Sequence, residues 1–176
     1  HNNLRVMEEQ YGDAILTTLP SQLMHAGRLP ALPGLRQIEP RGALWARLDC
    51  DGVALHVVNT HLSLVARERR SQTDCLMGPE WMGRADCEGP ALLVGDFNLV
   101  PRSRVYHRLT KVFQDVQRAP GMGRTKPTFP SGFPVLRLDH VFTRGNVQVK
   151  RVDVIRNRLT RVASDHLPLV VDLDIG

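Results

Sequence analysis

Four short apolar segments of this chain each lead into a compact cluster of Asp, Asn and His residues. A single cluster would be ordinary, because a His in a strand usually packs in the core and an Asp after a strand usually forms a turn. Four clusters at strand ends predict instead that the polar side chains meet in one cleft. In chain order the clusters are Asn59-Thr60-His61, Gly95-Asp96-Phe97-Asn98, Asp139-His140 and Ser164-Asp165-His166.

A cleft of this kind would collect several carboxylates, which is costly unless a cation or a protonated His compensates their charge. The donor set would contain carboxylates, an amide and imidazoles but no thiolate, which favours Mg²⁺ or Mn²⁺ over Zn²⁺. Mg²⁺ held by one or two carboxylates usually serves phosphate chemistry, in which His can protonate or hydrogen-bond phosphoryl oxygens. The clusters therefore predict a metal-assisted site for phosphate groups.

The hydrophobic pattern predicts many strands and few helices, which favours a layered α/β sandwich. Asp51-Gly52 is predicted to be the tight turn of a hairpin between strands over residues 43–48 and 54–59. Further strands are predicted over residues 14–17, 91–94, 135–138, 141–142, 147–149 and 169–173.

Two helices and two long loops complete this pattern. One helix is predicted from residue 64 to about residue 77, and the other from about Ser103, its N-cap, to Val116. Residues 21–40 and 118–134 are rich in Pro and Gly and are predicted to be loops. In the second loop, Thr128-Phe129-Pro130 either shapes the mouth of the site or is only a surface loop anchored by Phe129.

The composition is that of a soluble globular protein, with 42% apolar and 23% charged residues in a chain of 176. No apolar run is long enough for a membrane helix and no signal peptide is visible, so we expect no integral membrane segment. The three cysteines form no CxxC motif, which favours a reducing compartment and a cytoplasmic location. The net charge of +5 favours polyanionic partners, although a solubilising surface would give the same balance.

Taken in this order, the clusters resemble the signatures of the endonuclease/exonuclease/phosphatase superfamily, which has the DNase I-like fold. The resemblance covers nearly the whole chain and implies a four-layer αββα sandwich formed by one partial domain over residues 1–176. Tyr11-Gly12-Asp13-Ala14-Ile15-Leu16 is similar to an earlier family strand, with Asp13 in place of the usual Asn. The matching motifs are Asn59-Thr60-His61-Leu62, Gly95-Asp96-Phe97-Asn98, Leu138-Asp139-His140-Val141 and Ser164-Asp165-His166-Leu167-Pro168-Leu169.

The resemblance implies hydrolysis of a phosphoester by in-line attack of water, with five catalytic residues. His61 would contact the scissile phosphate and assist the leaving group or the developing charge. Asp96 would orient or deprotonate the water, and Asn98 would hold that water or a phosphate oxygen. Asp139 would pair with His166, and His166 would bind the phosphate as a cation.

The resemblance also implies binding residues around these five. Asp165 would help to bind the metal, Mg²⁺ or Mn²⁺. Arg41 and Asn59 are expected on the substrate side, and Glu39 could pair with His61.

One part of the family pattern has no counterpart in the chain. Family members begin with a strand, a helix and a second strand, which carry an Asn and the Glu that is the principal Mg²⁺ ligand. No apolar strand is predicted before Glu8-Glu9-Gln10, so this segment is not a convincing substitute. We therefore expect that the N-terminal strand-helix-strand is missing. Weak metal affinity should follow, together with low stability or self-association across the open sheet edge.

Two hypotheses about function follow from these residues. The first is a metal-dependent phosphoester hydrolase whose substrate is a nucleic acid, a phospholipid headgroup or a small phosphoester. The second is a non-catalytic fragment or pseudoenzyme that binds phosphorylated partners without cleaving them. Metal-dependent turnover would discriminate between the two.

Overall fold

The computed structural model describes residues 2–6, 9–32 and 39–176. In this part of the chain the helices are α1 (Ala66–Leu76), α2 (Arg104–Leu109) and α3 (Arg158–Ala163), with one 3-10 turn at Val116–Arg118. The strands are β1 (Asn2–Val6), β2 (Glu9–Gly12), β3 (Ser21–Arg28), β4 (Gly42–Cys50), β5 (Val53–His61), β6 (Ala91–Asp96), β7 (Gln114–Asp115), β8 (Asp139–Arg144), β9 (Val147–Val154) and β10 (Leu169–Ile175).

The central sheet has six strands in the order β3-β4-β5-β6-β8-β7. β5 and β6 run parallel, and every other pair of neighbours in this sheet runs antiparallel. β1 pairs with β2 and β9 pairs with β10 in two further antiparallel sheets. The predicted mixed α/β architecture, with many strands and few helices, is confirmed.

The β4–β5 hairpin confirms the predicted turn at Asp51-Gly52. Both turn residues have positive φ, 53° and 88°, as a two-residue type I′ turn requires. The Gly52 N–H also donates to Asp49 Oδ1 at 2.7 Å. This turn fixes the register in which β5 delivers His61 to the edge of the sheet.

The core occupies both faces of the central sheet. On one face the sheet packs against α1 and α2, and on the other the inner strands pack toward β10 through Ile175. Burial on both faces explains why β5 and β6 carry continuous apolar runs rather than alternating polar and apolar residues. The described residues thus form the helix, sheet and sheet layers expected of the sandwich. Its largest fully buried side chains on the helix side include Trp45, Trp81, Tyr106, Phe97 and Phe142.

Two predictions near the start of the chain are wrong. Residues 14–17 form no strand. Ile15 packs against an apolar cluster instead, and the Ala14 carbonyl accepts a hydrogen bond from Asn59 Nδ2. Residues 21–28 form β3 rather than a loop, because β4 offers an unpaired edge to which they hydrogen-bond. This pairing outweighs the loop-like composition around them.

α2 is shorter than predicted, ending at Leu109 rather than Val116. Ser103 is its N-cap as predicted, and the Ser103 Oγ accepts a hydrogen bond from the Tyr106 N–H at 3.1 Å. The apolar spacing continues past the helix because Phe113 and Val116 are also buried, but from the turn, β7 and the 3-10 segment that follow.

The structure also bears on three further expectations about helices and strands. α1 confirms the helix predicted over residues 64–77. The strand predicted over residues 135–138 is reduced to one isolated bridge between Leu136 and Phe129. A strand, β1, does precede Glu9 and pairs with β2, because the backbone hydrogen bonds of a short hairpin do not require an apolar run.

Two further sequence expectations concern membrane-spanning helices and the cysteines. In the residues that the structure covers, no helix has both the length and the apolar character needed to cross a membrane. Cys50, Cys75 and Cys87 are free thiols. Burial raises the pKa of the Cys75 and Cys87 thiols, so both stay protonated and weakly nucleophilic at neutral pH.

A buried polar network lies behind the edge of the sheet where β8 begins. Asp115 Oδ2 accepts hydrogen bonds from Tyr106 Oη and Arg137 Nη2, each at 2.5 Å. Arg137 Nη2 also lies 3.2 Å from His140 Nδ1, and His140 Nε2 lies 3.1 Å from the Leu99 carbonyl. These contacts are mutually consistent when His140 is neutral, with the proton on Nε2 and a lone pair on Nδ1.

We expect this network to make the protein less stable below neutral pH. Burial, followed by the charge of Arg137, lowers the pKa of His140 from 6.5 to about 4. The unfolded chain therefore binds a proton between these pH values that the folded chain does not bind, and stability is lost as pH falls through this window. The difference corresponds to roughly 3 kcal/mol. Urea unfolding at several pH values between about 7.5 and 4.5 would measure the loss.

His140→Gln is the matched variant for this measurement. Gln can keep both an acceptor toward Arg137 and a donor toward the Leu99 carbonyl, but it does not titrate. The free energy of unfolding of this variant should depend less steeply on pH over the same window. An unchanged slope would show that His140 is not the group responsible.

Candidate active site

The edge at which β5 and β6 end collects the predicted catalytic residues. His61 ends β5 and Asp96 ends β6, and these two residues are directly paired in the parallel register. Asp139 begins the antiparallel β8 and is paired with Asp96. Asn98 follows two residues after β6, and His166 enters from the segment before β10. The structure therefore brings together all five residues that the clusters predict to meet.

Asp96 is the centre of this arrangement. Its Oδ2 lies 3.2 Å from His61 Nε2 and 3.8 Å from His166 Nε2. Its Oδ1 accepts a hydrogen bond from the Asn98 N–H at 2.8 Å. Burial alone would raise the pKa of Asp96, but the His61 and Asn98 hydrogen bonds and the nearby imidazoles outweigh it, so the pKa is lowered. Asp96 is thus an ionised carboxylate within a half-buried cleft.

His166 is oriented by Asp139. The distance between His166 Nδ1 and Asp139 Oδ2 is 2.7 Å, and because a carboxylate only accepts, Nδ1 carries the proton. The ring of Phe129 packs beside this imidazole, with 4.8 Å between ring centroids. Burial lowers the pKa of His166, but the bond to Asp139 and the charges of Asp139, Asp96 and Asp165 outweigh it and raise the pKa overall. The pair therefore favours a cationic imidazole.

The hydrogen bond of His61 Nε2 depends on which of two neighbours it pairs with, Asp96 or Asn98. His61 Nε2 lies 3.2 Å from both Asp96 Oδ2 and Asn98 Nδ2, so it can donate to the first or accept from the second but not both. An ionised Asp96 favours donation. Asn98 Nδ2 also donates to the Leu62 carbonyl at 2.9 Å, which fixes its side chain. The backbone of Asn98 has φ 48°, a left-handed conformation that Asn adopts more easily than most residues.

The predicted binding residues lie around this centre with different contacts. Asn59 lines the same cavity as Asp96, and its Nδ2 donates to the Ala14 carbonyl at 2.9 Å. Arg41 is buried and its Nη2 lies 3.0 Å from Glu39 Oε2. The expected Glu39–His61 pair is wrong, because Glu39 pairs with Arg41 and the carboxylate beside His61 is Asp96.

Asp165, the predicted metal residue, is exposed, and its backbone carbonyl accepts from the Ser131 N–H at 2.7 Å. Asp165 does not belong to the group of described residues that could hold a metal, which consists of Asp96, Asp139 and His166. Ligand atoms of these three lie within 4.8 Å of one another.

The two carboxylates of this group fit a hard divalent cation. Mg²⁺ is usually bound through one or two carboxylates and completes its shell with water and phosphate oxygens. A cationic His166 is a poor ligand, so Asp96 and Asp139 are the residues that would hold such an ion. The sequence motifs did not identify this pair as a candidate for holding a metal. The pairing of Asp96 with Asp139 across β6 and β8 is the signal that reveals it.

The site opens into a cavity of about 430 Å³. A cavity of this size accommodates a phosphate group together with part of its ester substituent. Its walls come from β5, β6, β8 and the segment leading into β10, including Asn59, Gly95, Asp139, Ser164 and Pro168.

Gly95 lets β6 approach β5 closely enough for this geometry. Its φ is +133°, and a Cβ atom there would lie only 1.9 Å from the Thr60 carbonyl oxygen. A side chain would therefore push apart the two strands that carry His61 and Asp96.

We expect Gly95→Ala to destabilise the protein by about 3 kcal/mol, through the clash and the strained φ. For a chain of this length the loss should lower Tm by roughly 6–12 °C. Gly52→Ala is the control, because Gly52 also has positive φ but its Cβ position is open space. Thermal unfolding of both variants should show the larger loss for Gly95→Ala, and equal losses would mean that the contact with Thr60 is not limiting.

The layered α/β fold, the oriented Asp–His pair and the ionised Asp between two imidazoles together match the arrangement that the four motifs lead us to expect. The chain belongs to the Endonuclease/Exonuclease/phosphatase family, whose family model matches residues 11–166. The family and the fold expected from the four motifs are thus confirmed.

Comparison with individual proteins agrees with the match to the family model. The chain is 32% identical over 171 residues to the uncharacterized protein YbhP of Escherichia coli (strain K12), covering 96% of this chain and 64% of that protein. It therefore spans 64% of the length of this relative.

Two solved structures show the same fold. An endonuclease/exonuclease/phosphatase from Bacteroides vulgatus superposes with a TM-score of 0.71 at 22% identity, covering 89% of this chain and 67% of that one. A mannosyl-6-phosphatase from Bacteroides thetaiotaomicron VPI-5482 superposes with a TM-score of 0.70 at 25% identity, covering 88% and 67%.

Proposed function

We propose that the protein is a divalent-metal-dependent phosphoester hydrolase that works by in-line attack of water. The observation that carries this proposal is the position of Asp96 Oδ2, which faces the Nε2 atoms of both His61 and His166. An ionised carboxylate between two imidazoles offers a proton acceptor for water beside two hydrogen-bond donors for phosphoryl oxygens. Family membership supports phosphoester hydrolysis as the reaction class.

Each side chain has a distinct task in this proposal. Asp96 orients the attacking water and accepts its proton, and Asn98 holds the same water or a phosphoryl oxygen. His166, held by Asp139, stabilises charge on a non-bridging oxygen. The new P–O bond forms to the water oxygen as the bond to the ester oxygen breaks.

The short distance between His61 and Asp96 supports one of the two tasks considered for His61. In-line displacement places the attacking and leaving oxygens on opposite sides of the phosphorus. Because His61 Nε2 is 3.2 Å from Asp96, it lies on the attacking side. We therefore assign His61 to the developing negative charge on the phosphoryl oxygens rather than to the leaving group. A divalent cation on Asp96 and Asp139 would supply further charge stabilisation.

The substrate class is the open part of the proposal. A sugar phosphate is the first candidate to test, because one similar structure is a mannosyl-6-phosphatase. Nucleic acid and phospholipid headgroups are the other candidates, and the net charge of +5 favours anionic substrates in general.

Hydrolysis of p-nitrophenyl phosphate and bis-p-nitrophenyl phosphate, with Mg²⁺ or Mn²⁺ and with EDTA, tests the reaction. We expect metal-dependent turnover, with kcat/KM lowered by about 10³-fold or more in Asp96→Asn, because the variant loses the proton acceptor. Asp51→Asn is the control, since Asn-Gly is as suitable a hairpin turn as Asp-Gly. Phosphate binding without turnover in every metal would instead support the alternative, a non-catalytic phosphate-binding protein.

A second pair of variants tests the roles of the other two acidic residues. Asp139→Asn should lower kcat by roughly 10²- to 10⁴-fold, because it removes the charge that holds His166 as a cation and favours the wrong tautomer. Asp165→Asn should change little, since this exposed carboxylate lies outside the metal-capable group. The metal concentration that gives half-maximal activity should be measured for both. A large increase for Asp165→Asn would restore the metal role that the family resemblance implies.

A further inference from the structure

A second pocket lies beside the active site and has no task in the proposed reaction. Its volume is about 500 Å³, similar to that of the catalytic cavity. Three arginines line it, and no acidic residue is among its described lining residues. The lining residues that matter here are Val100, Arg102, Arg118, Thr125, Leu136 and Arg137.

This second pocket is built on the same two segments that carry Asn98 and Asp139. Val100 follows Asn98 by two residues, and Arg137 precedes Asp139 by two, so each lies within about 7 Å of its catalytic neighbour along the backbone. The two segments are held together by the Phe97 N–H, which donates to the Leu138 carbonyl at 3.0 Å. The second pocket is therefore a neighbour of the candidate active site along both of these segments.

Two of the three arginines of the second pocket carry uncompensated positive charge. Arg102 and Arg118 are exposed, and no carboxylate in the described part of the chain forms an ion pair with either. The Arg118 guanidinium lies over the ring of Tyr106, 5.4 Å from its centroid, which restricts where it can point. Arg137 is different, because its charge is already balanced by Asp115.

The third arginine of the second pocket adds donors to its wall. Arg137 is 6% exposed, and its Nε and Nη1 are buried without a partner. Unpaired buried donors are costly. Together with the two exposed arginines, this wall favours an anionic occupant over a cationic or purely apolar one.

We propose that the second pocket binds a second phosphoryl group of the substrate, through Arg102 and Arg118. Arg guanidinium groups match phosphoryl oxygens in geometry as well as charge. Val100 and Leu136 supply apolar contacts for the part of the substrate that joins the two phosphoryl groups. This inference rests on the proposed function, because the first phosphoryl group is the one bound at Asp96. It restricts that function to substrates with two phosphoryl groups about one sugar or nucleoside unit apart.

Binding in Ca²⁺, measured by titration calorimetry at about 0.15 M salt, tests the second pocket, because Ca²⁺ also takes carboxylate oxygens and would offset the charge of Asp96 and Asp139. The probes are thymidine 3′,5′-bisphosphate against thymidine 5′-monophosphate, and fructose 1,6-bisphosphate against fructose 6-phosphate. In at least one pair we expect the bisphosphate to bind about 10-fold or more tightly. The pair that shows the gain identifies whether the second phosphoryl group comes from a nucleotide or from a sugar phosphate.

Three double variants test whether Arg102 and Arg118 are responsible for the tighter binding of the bisphosphate. Arg102→Gln with Arg118→Gln should abolish it, so that both members of the pair bind equally. Arg102→Lys with Arg118→Lys keeps the charge but not the planar fork, and should retain only part of the gain. Arg47→Gln with Arg151→Gln removes the same charge from exposed positions on other strands and should retain all of it.

Two results would overturn the proposal: equal affinity within both pairs for the parent protein, or an unchanged gain in Arg102→Gln with Arg118→Gln. Either is distinguishable from failure of the proposed function, which shows as absent hydrolysis of the p-nitrophenyl substrates. A protein that hydrolyses nothing but loses the bisphosphate gain in the Gln variant would keep the second pocket and lose the reaction.

Discussion

The parallel pairing of β5 with β6 is the constraint on which the site depends. Parallel strands end at the same edge of a sheet, so His61 and Asp96 face each other in register. The antiparallel return of β8 then places Asp139 opposite Asp96. Three functional side chains are thus positioned by the backbone hydrogen bonds of the central sheet. Gly95 is required for this arrangement, since the Thr60 carbonyl occupies the place where its side chain would lie.

Imidazoles and carboxylates alternate along this edge, from His61 to Asp96, His166 and Asp139, with 3.2, 3.8 and 2.7 Å between successive partners. Alternation places an imidazole beside each carboxylate of this half-buried cleft and favours the ionised form of Asp96. It does not make the cleft attractive to phosphate, because two carboxylates outweigh one cationic His166. A bound divalent cation would reverse that balance, which gives the proposed metal dependence an electrostatic reason independent of the chemistry of the attack.

The clusters could be predicted from the sequence because each consists of residues adjacent in the chain, and strand pairing was needed only to bring them together. The local sequence pattern gave a wrong prediction where pairing with a neighbouring strand determined the structure. Residues 21–28 read as a loop but form β3 on the edge of β4. The second pocket could not be predicted, since its arginines are far apart in sequence and meet only through the turn before α2, the 3-10 segment and the approach to β8.

Arg137 lines the second pocket and also belongs to the buried network with Asp115. A change at Arg137 would therefore alter the stability of the protein as well as the pocket. Replacing Arg137 would leave the Asp115 carboxylate buried and unpaired, a change that is strongly destabilising whatever the ligand. Arg102 and Arg118 are exposed, so replacing them leaves no buried carboxylate without its charged partner. The chemistry of the second pocket can therefore change through these two residues while the network behind β8 continues to hold Asp139 in place. Such a division, with variable side chains on surface segments over a fixed scaffold, is how one fold accommodates different substrates.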